Sequence, residues 1–134
     1  MRKIIFGLLL GINTLFGADL FWQESLQKAF ELAKNEHKNV MVMVEGEECR
    51  WCKKMEHRTL ADESVQKRLA AYIVVKVSRE DENVFEQLPM VEGVPTIFFM
   101  TSEKKVLEKV VGYFNVEDFI SYIDDVERNG TVKP

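Results

Sequence analysis

The sequence predicts an α/β fold, in which a mixed four-stranded sheet is covered by helices on both faces. Short apolar runs rich in β-branched residues alternate along the chain with segments of helical periodicity. Strands that are separated by helices imply parallel crossover connections. The last two apolar runs are joined by a short polar turn, which predicts an antiparallel hairpin.

The first half of the predicted domain contains two helices and the central strand. Apolar residues recur at helical spacing from Leu20 to His37, which predicts an amphipathic first helix. The uninterrupted apolar run 40–44 predicts a buried central strand. Residues 53–57 contain neither Gly nor Pro and are compatible with a helix. We expect this helix to be kinked or interrupted at 59–62, because Asp62 can cap a second helical piece.

The second half of the domain supplies three strands and two helices. Residues 72–77 form the second strand, since they are β-branched or aromatic apart from one lysine. Residues 80–88 can form a short helix, which the proline that follows would end. Residues 96–100 and 105–111 are the two strands of the hairpin. Asn115 then opens a final helix with one apolar face.

The N-terminal segment differs in kind from the rest of the chain. Arg2 and Lys3 precede a largely apolar run, residues 4–16, which resembles the two regions of a secretory signal. This run is shorter than the roughly 20 residues that a membrane-spanning helix needs. We therefore expect residues 1–18 to be a cleaved signal peptide and residues 19–134 to form a soluble, monomeric domain. The alternative is an apolar N-terminal helix that packs on the domain.

Composition narrows the classes of function. Of the 134 residues, 46% are hydrophobic and 30% are charged, which is typical of a soluble globular protein. The formal net charge is −4, and it becomes −6 once Arg2 and Lys3 are removed. This acidic balance argues against nucleic acid as a partner.

The two cysteines of the chain, Cys49 and Cys52, are separated by only two residues. A disulfide that closes so short a loop is a poor structural staple, whereas the spacing suits a nucleophile and a resolving thiol. Cys49 follows the central strand and precedes a helix, whose N-terminus favours a thiolate. We therefore assign Cys49 as the nucleophile and Cys52 as the resolving residue. An inert disulfide, or a metal site that includes His57, remains open, although three ligands are fewer than a structural zinc site uses.

The order of elements, the Cys49–Cys52 motif and the segment Gly93-Val94-Pro95-Thr96 together resemble the thioredoxin superfamily. The stretch 49–56 is similar in particular to exported bacterial thioredoxin-like proteins. The resemblance implies that Pro95 is cis and lies beside the nucleophile, and that Val94 offers its backbone to substrate chains. We expect no cofactor and no metal.

Several residues depart from the pattern of that superfamily. Met43 stands where the cytoplasmic thioredoxins carry a buried Asp that helps to deprotonate the resolving cysteine. Solvent or Glu45 must take that role here, and Lys76 corresponds to the lysine that accompanies the Asp. Glu48 replaces the tryptophan that usually precedes the first cysteine. An aromatic surface for substrates is instead expected at Trp51.

The expected function is that of an exported protein-disulfide reductase. Arg50 favours the thiolate electrostatically and three nearby glutamates oppose it, so neither effect dominates. The chain lacks the Pro-His motif of the strongest oxidants of the superfamily, which favours the reducing direction. We expect disulfides of exported proteins as substrates and a membrane thiol donor as the electron source. The alternatives are a disulfide isomerase or oxidant, or a non-catalytic binding module that uses the Pro95 groove and Trp51.

Overall fold

The structure is a computed structural model that describes the backbone of residues 20–131 and the side chains of residues 20–129. The predicted signal segment, residues 1–18, lies outside the described residues. None of the helices within residues 20–131 has the length and apolar composition needed to cross a membrane. The elements, in chain order, are β1 Trp22–Gln23, α1 Leu26–Glu36, β2 Asn39–Glu45, α2 Arg50–Lys54, a π-helical turn Met55–Thr59, α3 Glu63–Leu69, β3 Tyr72–Ser78, α4 Glu82–Gln87, β4 Thr96–Met100, β5 Val106–Val111 and α5 Val116–Thr131.

The sheet of the described region has five strands in the order β1-β3-β2-β4-β5. β2 lies at the centre, parallel to β3 and antiparallel to β4, and β5 completes the hairpin with β4. The mixed sheet and its hairpin are therefore confirmed. The predicted number of four strands is wrong by one, because β1 pairs in parallel with the free edge of β3.

Because of this extra strand, the first helix begins at Leu26 and not at Leu20 as predicted. Trp22 and Gln23 pair with Val74 and Val75 instead of joining the helix. Ser25 has an extended backbone, and its side chain accepts a hydrogen bond from the N–H of Lys28, so the helix begins only at the next residue. A serine at the N-cap satisfies a helical N–H that would otherwise lack a partner.

Side chains of β2 alternate between two hydrophobic layers. Met41 and Met43 point into one layer, whereas Val40, Val42 and Val44 point into the other. Successive side chains of a strand point to opposite faces, so an entirely apolar strand must be covered on both. The predicted burial of this run is confirmed, since all five side chains are fully buried.

Helices cover both faces of the sheet, as predicted. The layer that contains the two methionines is closed by side chains of α2, α3 and α5, such as Cys52, Val65 and Phe119. The opposite layer is closed by α1 and α4, for example through Phe30 and Val84. Both cysteines therefore belong to the first of the two layers.

The interruption predicted after the cysteine helix is present. α2 continues into the π-helical turn, and α3 begins only after Asp62, whose carboxylate accepts hydrogen bonds from the N–H groups of Ser64 and Val65. Thr59, at the end of the turn, is fully buried and donates its hydroxyl to the carbonyl of Phe114 at 2.6 Å. This bond ties the end of the turn to the segment that precedes α5.

Candidate active site

The structure places Cys49 at the junction of the central strand and α2. Cys49 is the N-cap of α2, and its sulfur accepts a hydrogen bond from the N–H of Cys52 at 3.1 Å. The two residues form a disulfide with a Cα–Cα distance of 5.2 Å. An N–H group aimed at the sulfur and the positive end of the helix dipole both favour negative charge on Cys49.

The two sulfur-bearing residues differ in exposure. Cys52 is only 2% exposed and belongs to the hydrophobic core, whereas Cys49 is half-buried at the surface. A partner molecule therefore reaches Cys49 first. Among the described residues, no group of three or more His, Cys, Asp and Glu side chains is arranged to hold a metal ion.

A cis peptide bond joins Val94 and Pro95. Cys49 and Val94 pack against the same core cluster, the one that contains Cys52. Pro95 is buried, and its carbonyl accepts the N–H of Gly112 at 2.8 Å. By contrast, neither the N–H nor the carbonyl of Val94 has a hydrogen-bond partner within residues 20–131. The half-buried Val94 thus has an unpaired N–H and an unpaired carbonyl in the loop that leads into β4.

Gly46 allows the loop of Val94 to approach the loop that leads to the cysteines. A Cβ atom at position 46 would lie 3.1 Å from Cγ2 of Val94 and 3.1 Å from Cδ of Arg79. Distances this short require the neighbouring atoms to move. A side chain at position 46 would therefore push the side chains of Val94 and Arg79 away by a few tenths of an ångström.

An ion pair lies on the turn that continues the cysteine helix. Lys76 Nζ is 2.6 Å from Glu56 Oε1, and 26% and 27% of the two side chains are exposed. Lys76 pairs in register with Met43, so it reaches the level of the sheet at which thioredoxins carry their buried Asp. Lys76 Nζ also lies 5.1 Å from the centre of the Trp22 ring.

The charges of this ion pair affect the pKa of Glu45, at the end of β2. Burial raises the pKa of Glu45 above its usual value; the positive charge of Lys76 lowers it, and the negative charge of Glu56 raises it again. The balance leaves a carboxylate that holds its proton more tightly than an exposed glutamate does. Such a group is better matched to proton transfer near neutral pH.

Trp51, between the two cysteines, is 50% exposed and held by two neighbours. Its ring lies 5.7 Å from that of Tyr113. Lys54 Nζ lies over both rings, at 4.8 and 4.7 Å from their centres. The adjacent Arg50 is exposed. The aromatic surface expected at Trp51 is therefore a Trp–Lys–Tyr cluster beside the disulfide.

Two residues of the site were absent from the sequence-based prediction. Glu56 follows Cys52 by four residues, a spacing that places two side chains on the same side of a helix, and this spacing could have identified it. Tyr113 follows the glycine that ends β5, and only the packing of β5 against β4 brings it to Trp51. No local sequence signal identifies it.

Comparisons with known proteins agree with this geometry. Solved structures share the fold: a thioredoxin from Thermus thermophilus has a TM-score of 0.68 at 24% identity, covering 79% of this chain and 86% of its own. The oxidised C-terminal domain of DsbD from Neisseria meningitidis has a TM-score of 0.63 at 22% identity, with 78% and 92% covered.

Similarity in sequence extends to curated proteins and to a family model. The thiol:disulfide interchange protein DsbD of Actinobacillus pleuropneumoniae is 26% identical over 103 residues, which is 72% of this chain. The chain spans only 16–18% of the length of such relatives. The family model described as a thioredoxin-like domain matches residues 26–127. Since that match covers most of the chain and the fold and the cysteine motif agree with it, the chain belongs to the thioredoxin-like family.

Proposed function

We propose that this protein is an exported thiol–disulfide oxidoreductase that reduces disulfides in other exported proteins. The observation that carries the proposal is the Cys49–Cys52 pair, with the accessible sulfur of Cys49 at the N-terminus of a helix. The names of the curated relatives, thiol:disulfide interchange proteins, support the same class of chemistry. No cofactor or metal is needed for it.

The reaction uses the two cysteines in turn. In the reduced protein, the Cys49 thiolate attacks one sulfur of the substrate disulfide, and the other substrate sulfur leaves as a thiolate that takes up a proton. Cys52 then loses its proton and attacks the Cys49 sulfur of the mixed disulfide, which releases the second substrate thiol. The substrate gains two electrons and two protons, and the protein ends with the Cys49–Cys52 disulfide that the structure contains.

Substrate chains are proposed to bind at Val94, Pro95 and Trp51. The unpaired N–H and carbonyl of Val94 can form backbone hydrogen bonds with an extended peptide, as an added strand would. The half-exposed ring of Trp51, which lies between the two cysteines in the sequence, supplies apolar contact area. A substrate held between these groups would place its disulfide over Cys49.

Proton removal from Cys52 is assigned to the carboxylates on the core side of the site. Glu45 has a raised pKa, and Lys76 couples it electrostatically to Glu56. Glu56 also lines a cavity of about 370 Å³ together with Trp22 and His57. Glu56 is therefore open to solvent, with which it can exchange a proton that it receives.

Charges of both signs lie near the cysteines and bear on the direction of exchange. A protein whose thiolate is strongly stabilised is an oxidant, because its reduced form is favoured. Here Glu45 and Glu56 place two carboxylates against the single ammonium of Lys76 on the core side of the site. These carboxylates oppose thiolate formation, whereas the cations that follow Cys49 on α2 favour it. The proposed direction therefore rests on the lack of the Pro-His motif found in the strongest oxidants of the superfamily.

Export and electron supply complete the proposal. The basic and apolar pattern of residues 1–18 is that of a signal peptide, whose removal would leave residues 19–134 as a soluble monomer. In a compartment without reduced glutathione, the oxidised protein needs a thiol donor that draws electrons across the membrane. A membrane-bound dithiol protein is the class of donor that fits.

The direction is tested by equilibrating the protein with glutathione and measuring the reduction potential of the Cys49–Cys52 pair. We expect a value nearer to the about −270 mV of thioredoxin than to the about −120 mV of the strong periplasmic oxidant. A potential close to the latter would show that the protein is an oxidant.

A Cys52→Ser variant distinguishes exchange chemistry from non-covalent binding. An exchange enzyme should accumulate mixed disulfides through Cys49, because the resolving step is lost. A binding module that uses the Pro95 groove and Trp51 would form none, and would bind its partners equally well when Cys49 is also replaced. The proteins trapped on Cys49 would identify the substrates.

A further inference from the structure

The surface around Trp51 carries a concentration of positive charge. Arg50, Trp51, Lys53, Lys54, His57 and Arg58 line an open depression of about 520 Å³ on α2 and the turn that follows it. Four of these six side chains are permanent cations, and we call the six residues the cationic surface. It begins between the two cysteines and extends along the helix away from Cys49.

The charge of this surface is not neutralised within residues 20–131. Lys28, Lys67 and Lys76 each lie within 4 Å of a carboxylate. None of the four cations of the cationic surface does so among the described residues. The chain as a whole has a formal net charge of −4. The surface is therefore a local surplus of positive charge on an acidic molecule, and such a surplus attracts oppositely charged partners.

Charge is also distributed asymmetrically across the site. Glu47 and Glu48 are exposed and immediately precede Cys49, and the N–H of Glu47 donates a hydrogen bond to Glu80 Oε1 at 3.5 Å. Cations follow Cys49 along α2. A partner whose sulfur reaches Cys49 must lay its flanking residues over one side or the other, so this polarity selects its orientation.

From this arrangement we infer that the cationic surface recognises partner proteins that carry carboxylates beside their reactive disulfide. The inference rests on the proposed exchange function and adds to it the charge of the partner. Acidic side chains on the partner pair with Lys53 and Arg58, while its apolar groups contact the Trp51 ring that Lys54 and Tyr113 hold in place.

A protein partner fits this surface better than an anionic membrane does. Glu47, Glu48 and the acidic remainder of the chain would be repelled by a negatively charged lipid surface. A membrane-bound cationic surface would also cover Trp51 and obstruct access to Cys49. An acidic protein segment instead brings its disulfide to the nucleophile as it binds.

The test compares three synthetic peptide disulfides that differ only in the residues beside the cysteines, which are Glu, Ser or Lys. The fully reduced protein is mixed with each peptide, and the second-order rate constant is measured at low salt and at 0.5 M NaCl. The same measurements are made on Lys53→Glu/Arg58→Glu. The matched control is Lys34→Glu/Lys67→Glu, which changes the net charge equally at exposed positions on α1 and α3.

At low salt, the wild-type protein should reduce the Glu peptide about tenfold or more faster than the Lys peptide, and the ratio should fall towards one in 0.5 M NaCl. Lys53→Glu/Arg58→Glu should lose or invert this ratio, while the control should keep it. Comparing ratios removes any general change in the reactivity of Cys49. A ratio of one in the wild type, or a ratio unchanged in Lys53→Glu/Arg58→Glu, overturns the inference.

Two further results remain decisive. If none of the three peptides is reduced, the exchange function is wrong. In that case, tryptophan fluorescence still measures whether a Glu peptide without cysteines binds in a salt-sensitive way, and this decides whether the surface binds acidic protein segments. The second result concerns phosphatidylglycerol vesicles at 0.15 M NaCl. The inference is refuted, and the ligand is anionic lipid, if three outcomes occur together: the protein sediments with the vesicles, Lys53→Glu/Arg58→Glu abolishes this sedimentation, and the peptide ratio is one.

Discussion

Lys76 Nζ lies 2.6 Å from Glu56 Oε1, which joins the strand next to the centre of the sheet to the turn that continues the cysteine helix. Superfamily members with a buried Asp on the central strand place the acid inside the sheet. Here Met43 fills that position, and the acid is on the helix side. In the proposed mechanism, the acid that serves Cys52 therefore comes from a different part of the chain.

The first prediction concerns the pKa of Glu45. Glu56→Gln removes a negative charge that raises this pKa, so the pKa should fall; Lys76→Met removes the positive charge that lowers it, so the pKa should rise. The measurement is a ¹³C NMR titration of the Glu45 carboxyl. Glu63→Gln, which removes an exposed partner of Lys67, serves as the control and should leave it unchanged. Shifts of the same sign in the first two variants would contradict the assigned arrangement.

The second prediction compares two glycines near the cis peptide. Gly46→Ala should lower kcat/KM for a peptide disulfide about two- to tenfold, because its Cβ displaces Val94 or Arg79 and shifts the loops that position Cys49. Gly93→Ala is the matched control, since no heavy atom lies within 4 Å of its Cβ position. It should change kcat/KM less than about twofold. An equal effect of both substitutions would mean that the contact at Gly46 is unimportant for activity.

The third prediction concerns the orientation of the Trp51 ring. Lys54→Met removes the cation above Trp51 and Tyr113, and a cation–π contact of about 0.5–1 kcal/mol corresponds to about a two- to fivefold change in the packed population. Quenching of Trp51 by acrylamide, measured in a Trp22→Phe background, should therefore increase. Lys53→Met changes the neighbouring lysine, which contacts no aromatic ring in the described part of the chain, and should leave the quenching unchanged. Equal quenching in both variants would count against the cluster.

The fourth prediction concerns helix capping and its dependence on pH. Asp62 caps α3, and the hydroxyl of Ser64, by donating to its carboxylate, holds the pKa of Asp62 below the usual 3.8. An acid with a lowered folded-state pKa stabilises the fold above its unfolded pKa, and that contribution is lost as the pH falls through the folded value. Asp62→Ala should thus cost about 1 kcal/mol at pH 7 and less at pH 2.

The control for this experiment is Asn115→Ala. Asn115 caps α5 by accepting the N–H of Asp118 at 2.9 Å through an uncharged side chain. Its substitution should cost a similar free energy of unfolding that does not follow the titration of a carboxyl group. Urea denaturation of both variants at the two pH values gives the comparison. A cost of Asp62→Ala that is constant with pH would show that its charge contributes nothing.

Most of the fold could be predicted because its strands are buried on both faces. The run at 40–44 is apolar throughout, and a strand with that pattern has to be covered by helices on either side. The capping residues Asp62 and Asn115 marked the helix starts correctly. β1 was missed because two residues are too few for a period, and Trp22 fits the helical spacing that follows. Ser25 was the local signal for the true helix start.

The site was predictable where its chemistry is local to the sequence. Cys49 and Cys52 form their pair within one turn, and the resemblance identified the proline whose peptide bond is cis. The neighbours of Trp51 and Lys76 depend on tertiary packing. Tyr113 contacts Trp51 from the segment that follows the hairpin. Glu56, on the turn after α2, contacts Lys76 on β3, which is 20 residues further along the chain. Such contacts cannot be derived from periodicity or motif spacing.

The short strand β1 also affects how the molecule meets other copies of itself. Exposed strand edges offer unpaired N–H and carbonyl groups to foreign strands, and proteins protect them by covering or by charge. Trp22 and Gln23 occupy the middle of the open side of β3, next to two residues, Val74 and Val75, that are almost fully buried. On the opposite edge, β5 carries Glu108 and Lys109 between its apolar residues. β1 thus occupies the edge of β3 at which a strand of another molecule could pair. Removing β1 should therefore favour self-association of the protein before the chemistry of the cysteines is affected.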